Sequence, residues 1–364
     1  MAATIIGMTG LNAQAQSLDD LTFLLPTWDR VFTVLAGGGY KDNVTLAHTE
    51  PQSSSFFSSG LEAIVSRLPK DGTQVSFLLS AEDRRYFDSK SVEKEQFAFA
   101  QAEVKHAFEY GGEASLGVDY VYVDEIQDVS ATETNLQAVR VRGHTLTGRP
   151  GLRLDFPGQY WASFGIAPTR QWLDAPLGDY TEFGGRISVG KDYGYQSEIS
   201  LRYEPGYRDY DTEPELNAAG EPIPGELRSF TMQEVRLNWK HHWDSDRHWR
   251  TVTRLGYRIN NDMGAGFFDY TRLAASGQVR YRTTNWEISA EGKASHYDYA
   301  VQTVSASSSE KRRRNELAVT VQAERQLTKW LRLVGSYEYE LALSNITIEK
   351  YSVNTISGSL QWSF

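Results

Sequence analysis

Trp330-Leu331-Arg332-Leu333-Val334-Gly335-Ser336-Tyr337-Glu338-Tyr339-Glu340-Leu341-Ala342-Leu343 alternates almost without a break. Leu331, Leu333, Gly335, Tyr337, Tyr339, Leu341 and Leu343 fall on one side of an extended chain, and Arg332, Ser336, Glu338 and Glu340 on the other. A helix, turning about 100° per residue, would mix these two sets; a strand, whose side chains repeat every second residue, separates them. The same pattern holds from Tyr195 to Glu204, where Tyr195, Ile199, Leu201 and Tyr203 oppose Gln196, Glu198, Arg202 and Glu204. It recurs from Trp249 to Ile259, where Leu255, Tyr257 and Ile259 oppose Arg250, Arg254 and Arg258.

About sixteen such segments follow one another from residue 30 to the last residue, and their connections alternate in length. Pro69-Lys70-Asp71-Gly72, Phe156-Pro157-Gly158 and Asp192-Tyr193-Gly194 are turn-sized and carry the Gly, Pro or Asp that tight turns need. Between them fall longer connections such as Lys41 to Phe56, Asp209 to Arg228 and Val301 to Lys311. This predicts an even-stranded meander with short turns on one side, long loops on the other, and both termini on the short-turn side. A soluble sandwich would have to bury Arg250, Arg254 and Arg258 or leave Leu255, Tyr257 and Ile259 wet. A closed transmembrane antiparallel β-barrel removes the conflict: apolar residues meet lipid, charges meet a watery lumen, and closure pairs every backbone amide. The expected fold class is therefore all-β, an up-and-down barrel of about sixteen strands with short periplasmic turns and long extracellular loops.

Composition agrees. Among 364 residues the chain has 20 Tyr, 16 Phe and 9 Trp, suited to interfacial girdles, and a net charge of −10, which argues against a nucleic-acid partner. Zero Cys excludes disulfides, Cys-ligated metals and thiol nucleophiles. No run approaches the roughly 18 consecutive apolar residues of a membrane-spanning helix. No cofactor or metal is expected. Ala13-Gln14-Ala15 before Gln16 has the small-x-small form of a signal-peptidase site, although the first basic residue is Arg30. The expected layout is a leader over 1–15, a periplasmic or lumenal segment over 16–29 and the barrel over 30–364. Leu18 to Trp28 reads as a short amphipathic helix, a candidate lumen plug.

In the last strand Ile356, Gly358, Leu360, Trp362 and Phe364 share one face, and Phe364 is the C-terminal residue. Gly358, Leu360, Trp362 and Phe364 resemble the assembly signal of bacterial outer-membrane barrels, which implies the barrel-assembly machinery as a partner. Gly38-Gly39-Tyr40-Lys41-Asp42-Asn43-Val44 resembles the Gly-Tyr-Asp-x-Asn-Val opening of an outer-membrane β-barrel porin family, some of whose members are encoded in exopolysaccharide loci. Gln326-Leu327-Thr328-Lys329-Trp330-Leu331 is similar to the periplasmic turns of those barrels. Lys41 stands where that family commonly has an acid. The resemblance implies a bacterial outer-membrane location, contact with lipid and lipopolysaccharide, and passage of small polar solutes or polysaccharide. For export it also implies a separate helical partner protein.

Charge on the polar faces is uneven. Arg202, Arg236, Lys240, Arg250, Arg254, Arg258, Arg272, Arg280 and Arg282 fall on four consecutive strands, followed by Glu287, Glu291, Glu316, Glu324, Glu338 and Glu340. A basic wall beside an acidic one would put a transverse field across the lumen and favour ions or sugars. The bland alternative is a set of salt-bridge ladders that stiffen the wall. Trp161 opposes Tyr160, Phe164 and Ile166 and is a candidate lumen ring for sugar stacking. Enzymatic chemistry is not expected. His241 and His242 point to opposite faces, and His242 or His296 beside Ser or Asp is the weak case for a rim-site hydrolase. The acids at 124, 125 and 128 and at 209, 211, 213 and 215 read as solvated loop groups, and Lys311 to Arg314 as a basic strand edge near lipopolysaccharide. The alternative to a conduit is a plugged structural or binding barrel. Solute, pore radius and oligomeric state stay open.

Overall fold

The computed structural model describes residues 28–130, 138–305 and 307–364. The expected leader and the plug candidate up to Thr27 lie outside the described residues. Sixteen antiparallel strands close into one barrel in sequence order: β1 (Trp28–Lys41), β2 (Ser54–Lys70), β3 (Thr73–Tyr86), β4 (Lys94–Ala107), β5 (Glu113–Asp128), β6 (Ala138–Phe156), β7 (Tyr160–Leu173), β8 (Tyr180–Tyr193), β9 (Ser197–Leu216), β10 (Pro222–His242), β11 (Trp249–Asp262), β12 (Tyr270–Arg282), β13 (Trp286–Thr303), β14 (Lys311–Gln326), β15 (Leu331–Ser344) and β16 (Tyr351–Ser363). Closure comes from β1 on β16, in register from Thr33 opposite Ser363 to Lys41 opposite Thr355. The two ends of the seam are tied at its base, where Phe32 and Phe364 exchange backbone hydrogen bonds of 3.1 and 2.9 Å and stack their rings. No edge strand is left, so the row of unpaired amides that makes open sheets prone to aggregation is absent.

The turns show why the short connections fold as they do. Between β2 and β3, Asp71 at φ 51° and Gly72 at φ 72° both occupy the left-handed region. Two successive positive φ values define the tight hairpin turn whose twist matches the strands, and Asp-Gly is a preferred pair for it. A Cβ on Gly72 would also sit 2.8 Å from the Ala107 carbonyl, so the next strand closes off that side.

Each strand separates its two faces as the alternation requires. On β11, Leu255 and Tyr257 are exposed to the outside while Arg250 and Asn260 are buried within. On β16 Ile356, Leu360 and Trp362 are all exposed, as is Phe364 just after it. An exterior made of such residues around the full circumference far exceeds the apolar patch a water-soluble monomer tolerates. Outward aromatics mark both rims: Tyr160, Trp243, Trp249, Trp330 and Trp362 on the short-turn side, and Tyr40, Phe57, Trp172, Phe183 and Tyr207 on the loop side. From Tyr160 to Trp172 the chain rises roughly 40 Å along β7, which at a tilt near 40° is about 30 Å of height. That is an apolar band bracketed by two girdles.

The long connections depart from expectation at one place. Asp209 to Arg228 is not a loop but mostly strand, since β9 runs to Leu216 and β10 begins at Pro222. Backbone pairing of Leu227 with Pro214 and Pro222 with Leu216 carries this hairpin past the apolar band, with register shifts between them. Likewise Asp124, Glu125 and Asp128 belong to β5.

Candidate functional site

The lumen wall is set by strand register. On the basic side Arg202 faces Arg236, Arg258 faces Arg272 and Arg250 faces Arg280, each pair directly across neighbouring strands. Arg254 lies opposite Asn238 and Ser276, Lys240 opposite Glu198, and Arg282 opposite Glu287. Beyond them Glu287 faces Glu324, Glu316 faces Ala342, Glu340 faces Ala318, and Thr320 lies between Glu291 and Glu338. All fifteen residues lie on the strand faces opposite the exposed apolar ones.

Like charges directly opposite one another repel unless something neutral or opposite lies between. Here it is Glu234, a residue the alternation does not single out. Its carboxylate is 3% exposed and accepts Arg236 at 2.6 Å, Arg258 at 2.6 Å and Arg272 at 3.3 Å. Glu204 does the same more loosely for Arg186, Arg202 and Arg236, at 3.3 to 3.6 Å. The loop-side half of the basic wall is therefore an ion-pair network. In the short-turn half Arg280 and Arg282 share Glu287, but among the described residues Lys240, Arg250 and Arg254 form no ion pair, and Arg250 bonds the Gln278 side chain at 3.1 Å.

Beside this wall the lumen opens into a cavity of about 380 Å³. Its floor owes its depth to missing side chains, because Gly151 faces Gly165 and Gly184 faces Gly206 on successive strands. Arg149, Arg186, Glu182 and Glu204 project around it. Trp161 lies on the inner face, 7% exposed, with the Arg153 guanidinium 4.7 Å from its ring centre. That cation occupies the face a sugar would need.

Across the barrel the lumen is narrowed. Arg314 on β14 donates to Asp128 Oδ2 at 2.6 Å and to Ser130 Oγ at 2.9 Å. β5 and β14 are seven steps apart around the wall, roughly 34 Å of arc at about 4.8 Å per strand, so this contact spans the mouth rather than following its rim. Asp128 Oδ1 accepts both the Ser130 amide and its hydroxyl, which folds the segment onto its own carboxylate. The side chains of Arg314 and Asp128 are 1% and 4% exposed. Lys41, Arg84 and Tyr86 converge on Glu95 in the same region. Residues 131–137 of this connection lie outside the described residues. Of the basic run at the start of β14, Arg312 and Arg314 thus belong to the interior, bound to Glu349 and Asp128, and Arg313 faces outward.

At the outer rim, beyond the apolar band, Glu215 meets Asp262, and Glu215 Oε1 accepts the Leu216 amide at 2.9 Å. Burial, aided by the Asp262 carboxylate, pushes the Glu215 pKa from the usual 4.5 up to about 7. A carboxyl whose pKa rises on folding takes up a proton as its surroundings assemble. Its pH-linked contribution is therefore full below pH 4.5 and is lost as the pH climbs through 7. Amide hydrogen exchange over 263–269 is expected to be slower at pH 5 than at pH 8, after correction for intrinsic rates. Equal protection at both would remove the shared proton.

The histidines offer little chemistry. His296 has one ring nitrogen 2.7 Å from Asn315 Oδ1 and the other 3.0 Å from Asp298 Oδ2, so both are engaged and neither is free to activate a serine. His241 is outward, stacked on Trp239 and beside Trp243 in the short-turn girdle. His242 is inward, opposite Arg250.

No protein-family model matches the chain, and no curated protein matches it. Solved structures similar to it include an anion-selective porin from Comamonas acidovorans, at 13% identity over 93% of this chain and 100% of that one, with a TM-score of 0.48. OccAB1 of Acinetobacter baumannii is 10% identical over 92% and 96%, with a TM-score of 0.46. A bacterial polysaccharide outer membrane secretin is 9% identical over 92% and 98%, with a TM-score of 0.45.

Proposed function

We propose that this chain is an outer-membrane channel that passes small polar and charged solutes passively through a lumen of segregated charge. The observation that carries the reading is the combination of an apolar exterior around the whole barrel with the cavity of about 380 Å³ beside a basic wall. The exterior requires lipid. The interior, lined by arginines on β9 to β12 and glutamates on β13 to β15, favours hydrated ions and polar solutes over apolar ones. The apolar face of Gly358, Leu360, Trp362 and Phe364 supports delivery by the barrel-assembly machinery, and the 38–44 segment supports an export role for polysaccharide by resemblance.

Refolded protein in a planar bilayer is expected to give stable open steps and, under a salt gradient, a reversal potential showing ion preference. Folded protein, judged by heat-modifiable gel mobility, that stays silent would end the channel reading. Arg254 reports the basic wall most directly, being exposed to the lumen and without an ion pair among the described residues. Arg254→Glu changes the local charge by two units, worth about 1 kcal/mol to an ion roughly 6 Å away in water, so permeability should move about fivefold toward cations. An unchanged reversal potential would show that Arg254 does not set selectivity.

A second reading, a plugged barrel that binds rather than conducts, is favoured by the Asp128–Arg314 contact across the mouth. The same bilayer measurement separates the two.

A further inference from the structure

The basic wall contains the same three-strand arrangement twice, eight residues apart. In the loop-side copy Glu234 on β10 faces Arg258 on β11, which faces Arg272 on β12. In the short-turn copy His242 faces Arg250, which faces Arg280. The first copy has its anion, since the Glu234 carboxylate lies within 3.3 Å of both guanidiniums, although Arg272 Nε is left without a partner there. The second has a histidine where the first has its anion. Arg250 is 5% exposed and its Nε has no hydrogen-bond partner; His242 is 9% exposed and its Nδ1 has none either. Arg280 is held at 3.4 Å by Glu287, which supplies a carboxylate on that side of the cluster. Lys240, at the next inward position of β10, and Arg254, past Val252 on β11, add two more cations, without an ion pair among the described residues. A buried donor left unsatisfied costs more than a hydrogen bond gains, and guanidinium donors match tetrahedral oxyanions in charge and geometry.

We propose that the short-turn end of the lumen is a binding site for a phosphate group, held by Arg250 with Arg254 and Lys240 at its entrance and the His242 ring beside it, in the place that Glu234 fills one repeat away. Phosphate rather than a single carboxylate follows from the charge to be met. Glu234 accepts three arginines in its copy, one of them shared with Glu204, whereas here Lys240, Arg250 and Arg254 have no ion pair among the described residues, Glu198 lying opposite Lys240 without closing on it, and a dianion serves the three cations better. The site deepens the channel reading, since it would hold and select anionic solutes on their path, and it rests on that reading for its purpose but not for its detection.

The test uses the full refolded chain in detergent micelles, where binding needs no open pore. Inorganic phosphate, titrated calorimetrically at constant ionic strength in chloride, is expected to bind once per chain. Arg250→Gln should weaken it at least about tenfold, the loss expected when a charged hydrogen bond is removed. His242→Glu, which places a carboxylate where the first copy has one, should abolish binding while leaving the barrel folded, as read by circular dichroism and heat-modifiable mobility. Sulfate competing with phosphate supports the site. Succinate binding more tightly than phosphate, no saturable phosphate binding by folded protein, or equal binding by His242→Glu would each overturn the proposal. A channel that is silent in bilayers yet binds phosphate with this variant pattern would cost the chain its conduit role and keep the site.

Discussion

Arg314→Ala is expected to raise the single-channel conductance severalfold and make the open current noisier. Among the described residues the guanidinium is the group from the far wall that holds Asp128 and Ser130, and it uses both terminal nitrogens to do so. Removing it leaves the Asp128 carboxylate, 4% exposed, with a buried charge and no cation. Breaking a buried pair from one side costs about 3 kcal/mol. The segment avoids that cost by swinging Asp128 into lumen water, which withdraws it from β14 and widens the mouth. Asp128→Asn should act in the same direction but less, since the amide keeps the turn to Ser130 and still accepts one hydrogen bond. Arg314→Lys retains the charge without the paired donors and should fall between. An intact barrel with wild-type conductance in Arg314→Ala would show that the ion path does not run past this bridge.

That bridge also marks the limit of what alternation conveys. The strand from Leu331 to Ser344 is readable because its side chains repeat every second residue and a slip of one would turn Leu333 and Tyr337 into the lumen. The same logic separates Arg250, Arg254 and Arg258 from Leu255 and Tyr257, and it orients Trp161 without any knowledge of its neighbours. Contacts across the lumen leave no periodic trace. Nothing local to Arg314 distinguishes it from Arg313 except parity, and its partner lies 186 residues away. Glu234 is hidden for a related reason. One acid on a face holding Arg236 and Lys240 looks like dilution of a basic strand, and its importance emerges only when register brings Arg258 and Arg272 to the same carboxylate. The hairpin from Asp209 to Arg228 escapes because backbone pairing, not an apolar face, extends β9 and β10 beyond the membrane band. Alternation thus reads a strand where one face must meet lipid and goes silent beyond the membrane band, where Glu215 and Arg228 are buried beside Tyr210 and Leu216.

Glu234→Gln should have the largest effect on stability of any single change in the basic wall. The amide has nearly the same volume, so the variant removes charge without making a cavity, and three guanidiniums at 2.6 to 3.3 Å lose their common anion. Arg258 and Arg272, directly opposite one another, would then repel across about one strand spacing. Loss of the anion from a buried network is worth about 3 kcal/mol, somewhat less where lumen water reaches the freed arginines. The midpoint of urea unfolding in lipid vesicles should fall accordingly. The channel should also become more anion-selective, because a negative charge at the centre of the wall has gone. Both effects should reverse together in the double variant Glu234→Gln/Arg258→Gln. Removing one cation relieves the repulsion and should recover much of the stability, while net charge returns to the wild-type value and selectivity with it. If Glu234→Gln unfolds at the wild-type urea concentration, the carboxylate is a bystander in water, and the arginines of β10 to β12 hold their places by packing alone.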